Sequence, residues 1–587
     1  MKDYQHFTRR RFIKNSLLAT GGMFIAPLFI SCNNDWIDDG STPQGLQNNG
    51  FNLGVASFDP TESSIIIWTR YTKETEAEIT WEISLKADFS EVLRREKVYA
   101  SSINDFTVSI DVQNIPSNSK FYYRFYNNET KETSITGETI TLPSKTDNVQ
   151  EAKMAVVSCS NFASGLFNVY NAVAKSEADV VLHLGDYIYE HAPGQYGTNS
   201  YTNQLNRAHK PAKEIITLSD YRERYRQYRS DKDLQLLHQK KPFICVWDDH
   251  EIADDAYKSG ALNHQPQEGS FEARKMAAFQ AYCEYIPLKT GKDFKIYRSF
   301  EFGNILSLYM LDTRLIARDK QLDYSDYIAD SLFDMSFDFD KFNNDLTNPD
   351  RKMIGDEQMA WLRSEINSTS TAWKVIGQQV LMTKMMLPSE CMILLSKIMK
   401  IVKDGMSYKN DPASAEMVER LQNKISELSE IKKRSEQNYS INTHEKQRLA
   451  SKLPFNLDAW DGYFAEREKL YSVLSGKKVI VLAGDTHSAW CGKLTDEQGN
   501  FIGTELATSS VTSQGDFDYL GLDSQILHTL SAFFPLLVDD LKYANLSHKG
   551  YLYVKFTPAS VQPQWRFVDN IISETYTVFT ENSIVIQ

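Results

Sequence analysis

Apolar and polar positions follow two different patterns along the chain. Between about residues 50 and 145 the pattern is short alternating runs: Ser64-Ile65-Ile66-Ile67-Trp68-Thr69, then Ile79-Thr80-Trp81-Glu82-Ile83, then Phe121 to Tyr126 after a turn with Pro116 and Asn118. Strands at short intervals with polar turns predict a small β-sandwich. From residue 152 apolar strands alternate with helical spacing. Met154–Val157, Val180–Leu184, Ile244–Trp247 and Val479–Ala483 read as strands. Leu166, Tyr170 and Val173 fall at i, i+4 and i+7, one face of a helix. Thr217 with Asp220 three residues later predicts a capped helix start, with Tyr221, Tyr225 and Tyr228 along one face. Asp356 is placed to cap a helix whose apolar face is Met359, Leu362 and Ile366. Strands alternating with helices predict a layered α/β domain.

Residues about 390–450 interrupt that domain with a polar helical stretch in which Leu421, Ile425 and Leu428 share a face; a surface insertion is expected. Residues 551–556, 563–568 and 575–580 return to short alternating strands. The expected organisation is a signal at 1–32, a flexible tether at 33–48, a β-sandwich at 49–148 and a catalytic domain at 149–587.

The first 32 residues read as an address. Thr8-Arg9-Arg10-Arg11-Phe12-Ile13-Lys14 precedes an apolar run from Leu17 to Ile30, too short and Gly-containing for a membrane span. The paired arginines resemble a twin-arginine export signal, implying passage through that machinery in the folded state. Ser31-Cys32 resembles a lipoprotein processing site, with Cys32 lipidated and anchoring the chain to a membrane; an ordinary cleaved signal or a disordered basic tail is the alternative. A place in the cell envelope, periplasmic or membrane-anchored, is expected. Residues 33–48 are polar with Gly and Pro, a tether composition.

Composition narrows the classes. The 587-residue chain carries a formal net charge of -13, which argues against non-specific nucleic-acid binding. Its six cysteines, at 32, 159, 245, 283, 391 and 491, show no CxxC spacing, so no disulfide framework is expected. Cys245, Cys283, Cys391 and Cys491 read as buried small hydrophobes.

Four apolar strands end in polar residues of metal-binding type: Ser158-Cys159; Gly185-Asp186-Tyr187-Ile188-Tyr189-Glu190; Asp248-Asp249-His250-Glu251; and Gly484-Asp485-Thr486-His487. In layered α/β folds such strand ends converge on one crevice. A lone Asp or His after a strand is ordinary loop chemistry; four in succession need a common explanation. Asp186 has two oxygens with which to bridge cations. A Tyr189 phenolate requires a strong Lewis acid such as Fe(III), because free Tyr titrates near ~10. A Cys159 thiolate suits iron or zinc, while Asp249 and Asp485 suit calcium, magnesium or manganese. The mixed donor set predicts two unlike metals, which could hold a phosphate and activate a water.

Gly185-Asp186-x-x-Tyr189, Asp249-His250-Glu251 and Gly484-Asp485-x-His487 resemble the metallophosphoesterase motif series. Asp-Asp-His in the third motif, Gly-Asp-x-His in the fifth and Ser-Cys at the first strand are the marks of its PhoD-like, or alkaline phosphatase D, branch. Leu53–Pro60, Ile67–Arg70, Leu311–Arg314 and Trp373–Gln379 resemble supporting segments. The resemblance covers about residues 50–570 without the helical insertion. It implies a two-sheet β core flanked by helices and an iron–calcium centre, the second metal being Mg, Mn or Zn in the alternatives. It assigns Cys159, Asp186, Tyr189 and His487 to iron, with Asp186 bridging, and Asp249 and Asp485 to the second metal. Asp248 is the alternative to Asp249. His250 would be a proton donor or electrostatic stabiliser beside the phosphate. Arg314 is a candidate phosphate clamp or a buried ion-pair partner, and His183 a core histidine. The implied activity is hydrolysis of phosphate mono- or diesters; the alternative is a surface lipoprotein of the same fold with a silent site.

Overall fold

The computed structural model describes residues 49–73, 75–289, 294–329, 334–403, 412–515 and 524–587. The signal and tether expected at 1–48, with Arg9, Arg10 and Cys32, lie outside the described residues.

Two large sheets form the α/β body. At the centre of a nine-stranded sheet Ala152–Val157, Val180–His183 and Phe243–Cys245 run parallel. A seven-stranded sheet is built on the parallel strands Leu306–Met310, Trp373–Gly377, Val479–Ala483 and Phe501–Ala507. Strand alternation sets which face goes where. Leu306, Leu308 and Met310 join the core containing Met154, Val156 and Val181, while Tyr309 and Leu311 enter a second core with the helices on the other side. Val180–His183 is buried throughout, as its unbroken apolar run requires of a strand covered on both faces. The tail strand Lys549–Phe556 pairs antiparallel with Ala152–Val157 and extends the first sheet.

The helix Leu218–Arg229 starts as its sequence predicts. Thr217 and Asp220 form a capping box, and Tyr221, Tyr225 and Tyr228 are buried. Two helix readings shift. The helix expected to include Leu166 begins at Asn168. Asp356 lies in the first turn of Gly355–Ser368 and pairs with Lys352 instead of capping. The cap comes from elsewhere in the chain: the Glu466 carboxylate accepts the N–H groups of Met353, Ile354 and Gly355. Unpaired N–H groups at a helix start take whichever acceptor is close, and here a neighbouring helix supplies it.

The amino-terminal strands form a sandwich with its own core. A four-stranded sheet of Val92–Ala100, Ala77–Ser84, Lys120–Tyr126 and Gly137–Ile140 packs over Val55–Phe58, Ser64–Arg70 and Thr107–Gln113 through Ile65, Ile67, Trp81, Phe121 and Phe125. Its second layer is not separate, however. Phe58 pairs with Phe243, which makes these three strands the continuation of the nine-stranded sheet. Ala56, Phe58, Ile66 and Trp68 point to the opposite face and enter the large core. The boundary at 148 therefore divides the chain but not the sheet.

The helices Ser389–Lys403, Pro412–Glu436 and Thr443–Ala450 leave and rejoin the body through a two-stranded ribbon, Met386–Pro388 with Lys452–Pro454. Leu428 is buried, and Leu421 and Ile425 pack beside it. Cys159, Cys245, Cys283, Cys391 and Cys491 are all free thiols. Among the described residues no helix is long and apolar enough to cross a membrane.

Candidate metal centre

Register brings the strand ends to one level. His183 pairs with Val157 on one side and Cys245 on the other, so the segments carrying Cys159, Asp186 and Asp249 leave the nine-stranded sheet together. The seven-stranded sheet is tied to the same edge by Val511 N–H, which donates to the Ser158 carbonyl at 3.0 Å, while Gly484 N–H holds its own strand end to the Gln379 carbonyl at 2.7 Å. Two motif glycines are there for space. A Cβ on Gly185, whose φ is +106, would stand 2.3 Å from Asp248 Cβ, and one on Gly484 would stand 2.6 Å from Ser158 Oγ. Cys159, Asp186, Asp485 and His487 all have φ between 56 and 63. Non-glycine residues rarely adopt this left-handed region, and such strain gathers at functional sites.

The candidate residues meet. Donor atoms of Cys159, Asp186 and His487 lie within 4.8 Å of one another, as do those of Asp186, Asp249 and His250, and those of Asp248, Asp249 and Asp485. Asp186 belongs to both of the first two groups, the position a bridging carboxylate needs. Tyr189 Oη donates to Asp186 Oδ2 at 2.8 Å and lies 3.2 Å from His487 Nε2. His487 Nδ1 lies 2.6 Å from the Gln514 carbonyl, which keeps a proton on Nδ1 and leaves Nε2 facing Asp186 and Tyr189.

The electrostatics are those of a site short of positive charge. Burial pushes up the Cys159 thiol, the Tyr189 phenol and the carboxyls of Asp186 and Asp485, and neighbouring carboxylates push in the same direction. Burial likewise takes Asp248 up to about 6, against the pull of Arg314. Oδ2 of Asp248 is buried with no hydrogen-bond partner. Acids crowded to this degree, one with an orphaned oxygen, are what a bound cation would relieve. Thiolate, phenolate, carboxylate and imidazole donors fit a transition metal, and the carboxylates beside them fit a hard cation. The residues present therefore fit a metal cofactor.

His250 sits against the cluster in a different role. Its Nδ1 is 2.7 Å from the Glu190 carboxylate and its Nε2 is 3.8 Å from Asp254. Burial would lower its pKa, but Asp249, Asp186 and Glu190 outweigh burial and hold it well above the usual value. Glu190 is fully buried. Desolvation would raise it, yet His191 and His250, with the amide of Asn263, keep it well below the usual carboxylate range.

Arg314 does not reach outward as a phosphate clamp. It is completely buried and pairs with Asp248, with Asp458 at 2.8 Å and with Asp485 at 3.0 Å, with Asp249 at 3.8 Å. Four carboxylates from three segments enclose the guanidinium and leave it no freedom to serve a ligand. Of the two neighbouring acids, Asp248 accepts from Arg314 through Oδ1 and keeps Oδ2 beside Asp249 and Asp485, while Asp249 is shared among the Asp186, Asp485 and Asp254 groups. His183 is a core residue, 2.7 Å from Tyr170 Oη.

Sequence reasoning missed four contributors. Glu190 orients His250, and Glu251 accepts the N–H groups of Asp186, Tyr187 and Asp248 at 3.0, 2.6 and 2.8 Å. Both stand inside the motifs, and a buried acid next to a ligand was the available signal. Tyr196 stacks on His250 and His487 with ring planes 10° and 18° from parallel. Asp458 comes from the segment after the helical insertion. Neither of these two has any local sequence mark.

The model of the PhoD-like phosphatase family matches residues 154–565, and that of the PhoD-like phosphatase N-terminal domain matches residues 39–143. The chain is 29% identical to alkaline phosphatase D of Bacillus subtilis (strain 168), covering 92% of this chain and 81% of that one. A solved structure of PhoD superimposes with a TM-score of 0.69 at 27% identity, covering 93% of this chain and 92% of that one.

Proposed function

Because the chain belongs to the PhoD-like phosphatase family, and is thereby a phosphoric ester hydrolase, we propose that it is an exported, metal-dependent phosphoesterase acting on phosphate mono- or diesters. The carrying observation is the convergence of Cys159, Asp186, Tyr189 and His487 with Asp249 and Asp485 on one strand-end crevice. Cys159, Asp186, Tyr189 and His487 would hold iron as Fe(III), and Asp186, Asp249 and Asp485 a second, harder cation such as calcium. Bound there, the metals supply Lewis-acid polarisation of the phosphoryl group and make water more acidic.

The chain's own residues do the rest. Glu190 accepts from Nδ1 of His250 and orients the ring, which leaves Nε2 to give a proton to the departing ester oxygen. Tyr196 and His191 pack around the imidazole and keep water from it. Arg314 pairs with Asp248, Asp458 and Asp485 and offsets their mutual repulsion. A silent binding lipoprotein, the other reading of this fold, has no observation in its favour, since the donor set is complete.

Metal analysis of the purified protein, with turnover of a nitrophenyl monoester and diester, tests the reading. Iron plus a second metal with turnover of either ester is expected; a metal-free protein that is fully active would overturn it. The export reading rests on Arg9-Arg10 and Ser31-Cys32. Lys at both arginines should hold the protein in the cytoplasm, and Cys32→Ala should free it from membranes. Unchanged fractionation in either case removes that assignment.

A further inference from the structure

Arginine cannot shed its proton inside a protein, so each buried guanidinium needs acceptors and countercharge. Among the described residues, Arg224, Arg229, Arg274, Arg314 and Arg318 are the most fully enclosed arginines. Arg274 pairs with Glu214 and Glu268, Arg314 with four aspartates and Arg318 with Asp458. Arg224 has no carboxylate but donates to the carbonyls of Lys210, Tyr189 and His191.

Arg229 is different. It is 1% exposed and forms no ion pair with a carboxylate among the described residues. Its Nε and Nη2 are buried without any hydrogen-bond partner. Its Nη1 makes one long bond, 3.4 Å to Tyr187 Oη, and the guanidinium stands 4.1 Å from the centre of the Trp68 ring. Tyr187 Oη is also 2.9 Å from His238 Nε2. His238 Nδ1 is likewise buried with no partner. Among the described residues, Tyr187 Oη is the one acceptor within hydrogen-bond distance of the guanidinium. The indole face offsets part of the charge, and the carboxyl end of the helix that Arg229 closes offsets another part. Neither supplies an acceptor for Nε and Nη2.

We propose that Arg229 anchors an internal site for a small monatomic anion of the chloride class, held by Nε and Nη2 beside Trp68. The enclosure argues for a monatomic ion over a phosphate or carboxylate: Trp68, Tyr187 and His238 are all buried around it, with Phe58 and Phe243 against His238. A buried water would give the bare nitrogens an acceptor but leave the charge unmatched. The site lies at the seam of the molecule. Arg229 ends the helix Leu218–Arg229, Trp68 belongs to the amino-terminal strands, and Tyr187 follows Asp186. An anion there would join all three.

The test uses the metal-loaded full chain. Melting is compared in sodium bromide or chloride and in sodium gluconate at equal ionic strength, for the native protein and Arg229→Met, and crystals grown in bromide are examined for anomalous scattering. A rise of ~2 °C or more with halide in the native protein is expected from ligand linkage, together with no rise in Arg229→Met and a bromine peak beside Arg229 Nε. Equal melting in the two salts, a halide effect that persists in Arg229→Met, or no anomalous peak beside Arg229 overturns the proposal. If Arg229→Met does not fold, the bromide map of the native protein decides alone.

Discussion

At the scale of single residues, two side chains in the crevice separate chemistry from metal binding. His250 is held by Glu190 through Nδ1 and shares a donor group with Asp186 and Asp249. On the proposed reading, the carboxylates, thiol and phenol around it hold the two cations and leave the imidazole for proton transfer. His250→Ala should keep both metals and lower kcat by roughly 10²–10⁴, the usual scale for a positioned acid or base. Loss of metal along with activity would make it a ligand instead. Tyr189 carries the opposite signature. Its phenol is pushed up by burial, next by Asp186 and then by Cys159, and only a strongly acidic metal ion would draw it into the phenolate form. A phenolate on Fe(III) absorbs visible light, so the protein should be coloured. Tyr189→Phe keeps the ring packing against Tyr196 and His250 and removes only the oxygen. An iron-loaded, active Tyr189→Phe protein with an unchanged spectrum would take Tyr189 out of the site.

At the scale of elements, what could be read ahead was whatever the local pattern determines. Unbroken apolar runs such as Val180–His183 mark strands covered on both faces. A change from such a run to Gly-Asp, Asp-Asp or Ser-Cys marks where the chain leaves the sheet, and that alone located most of the crevice. The Thr217–Asp220 cap was legible because both partners of the bond lie within four residues. What was not legible depends on contacts between distant segments. Asp356 had the right chemistry for a cap, but Glu466 had the right position. Arg314 had the right chemistry for a phosphate clamp, but Asp458, 144 residues away, and two strand-end aspartates enclose it. The amino-terminal strands read as an independent sandwich because their alternation looks the same whether the second face meets solvent or another core. Only the pairing of Phe58 with Phe243 shows that it meets another core.

At the scale of the whole molecule, the crevice is also a joint. Cys159, Asp186 and Asp249 extend from the nine-stranded sheet, while Asp485 and His487 extend from the seven-stranded one. A direct tie between the sheets at this edge is the bond from Val511 N–H to the Ser158 carbonyl. Around it lies a concentration of buried acids whose mutual repulsion opposes closure, with Arg314 as the cation lodged among their carboxylates. Cations held jointly by residues of both sheets would turn that repulsion into a cross-link. A ligand at a hundredfold over its dissociation constant stabilises the folded state by about 2.7 kcal/mol, so removing the metals should lower the melting temperature by several degrees. The loss should be localised as well: amide exchange should quicken first in the segments around Cys159, Asp186 and Asp485, and last in the amino-terminal sandwich, whose core of Ile65, Trp81 and Phe125 lies apart from the crevice. Differential scanning calorimetry and hydrogen exchange, before and after exhaustive chelation, measure both. A melting curve that does not move once the metal is gone would mean that the two sheets close on their apolar core alone, with the acids accommodated by taking up protons.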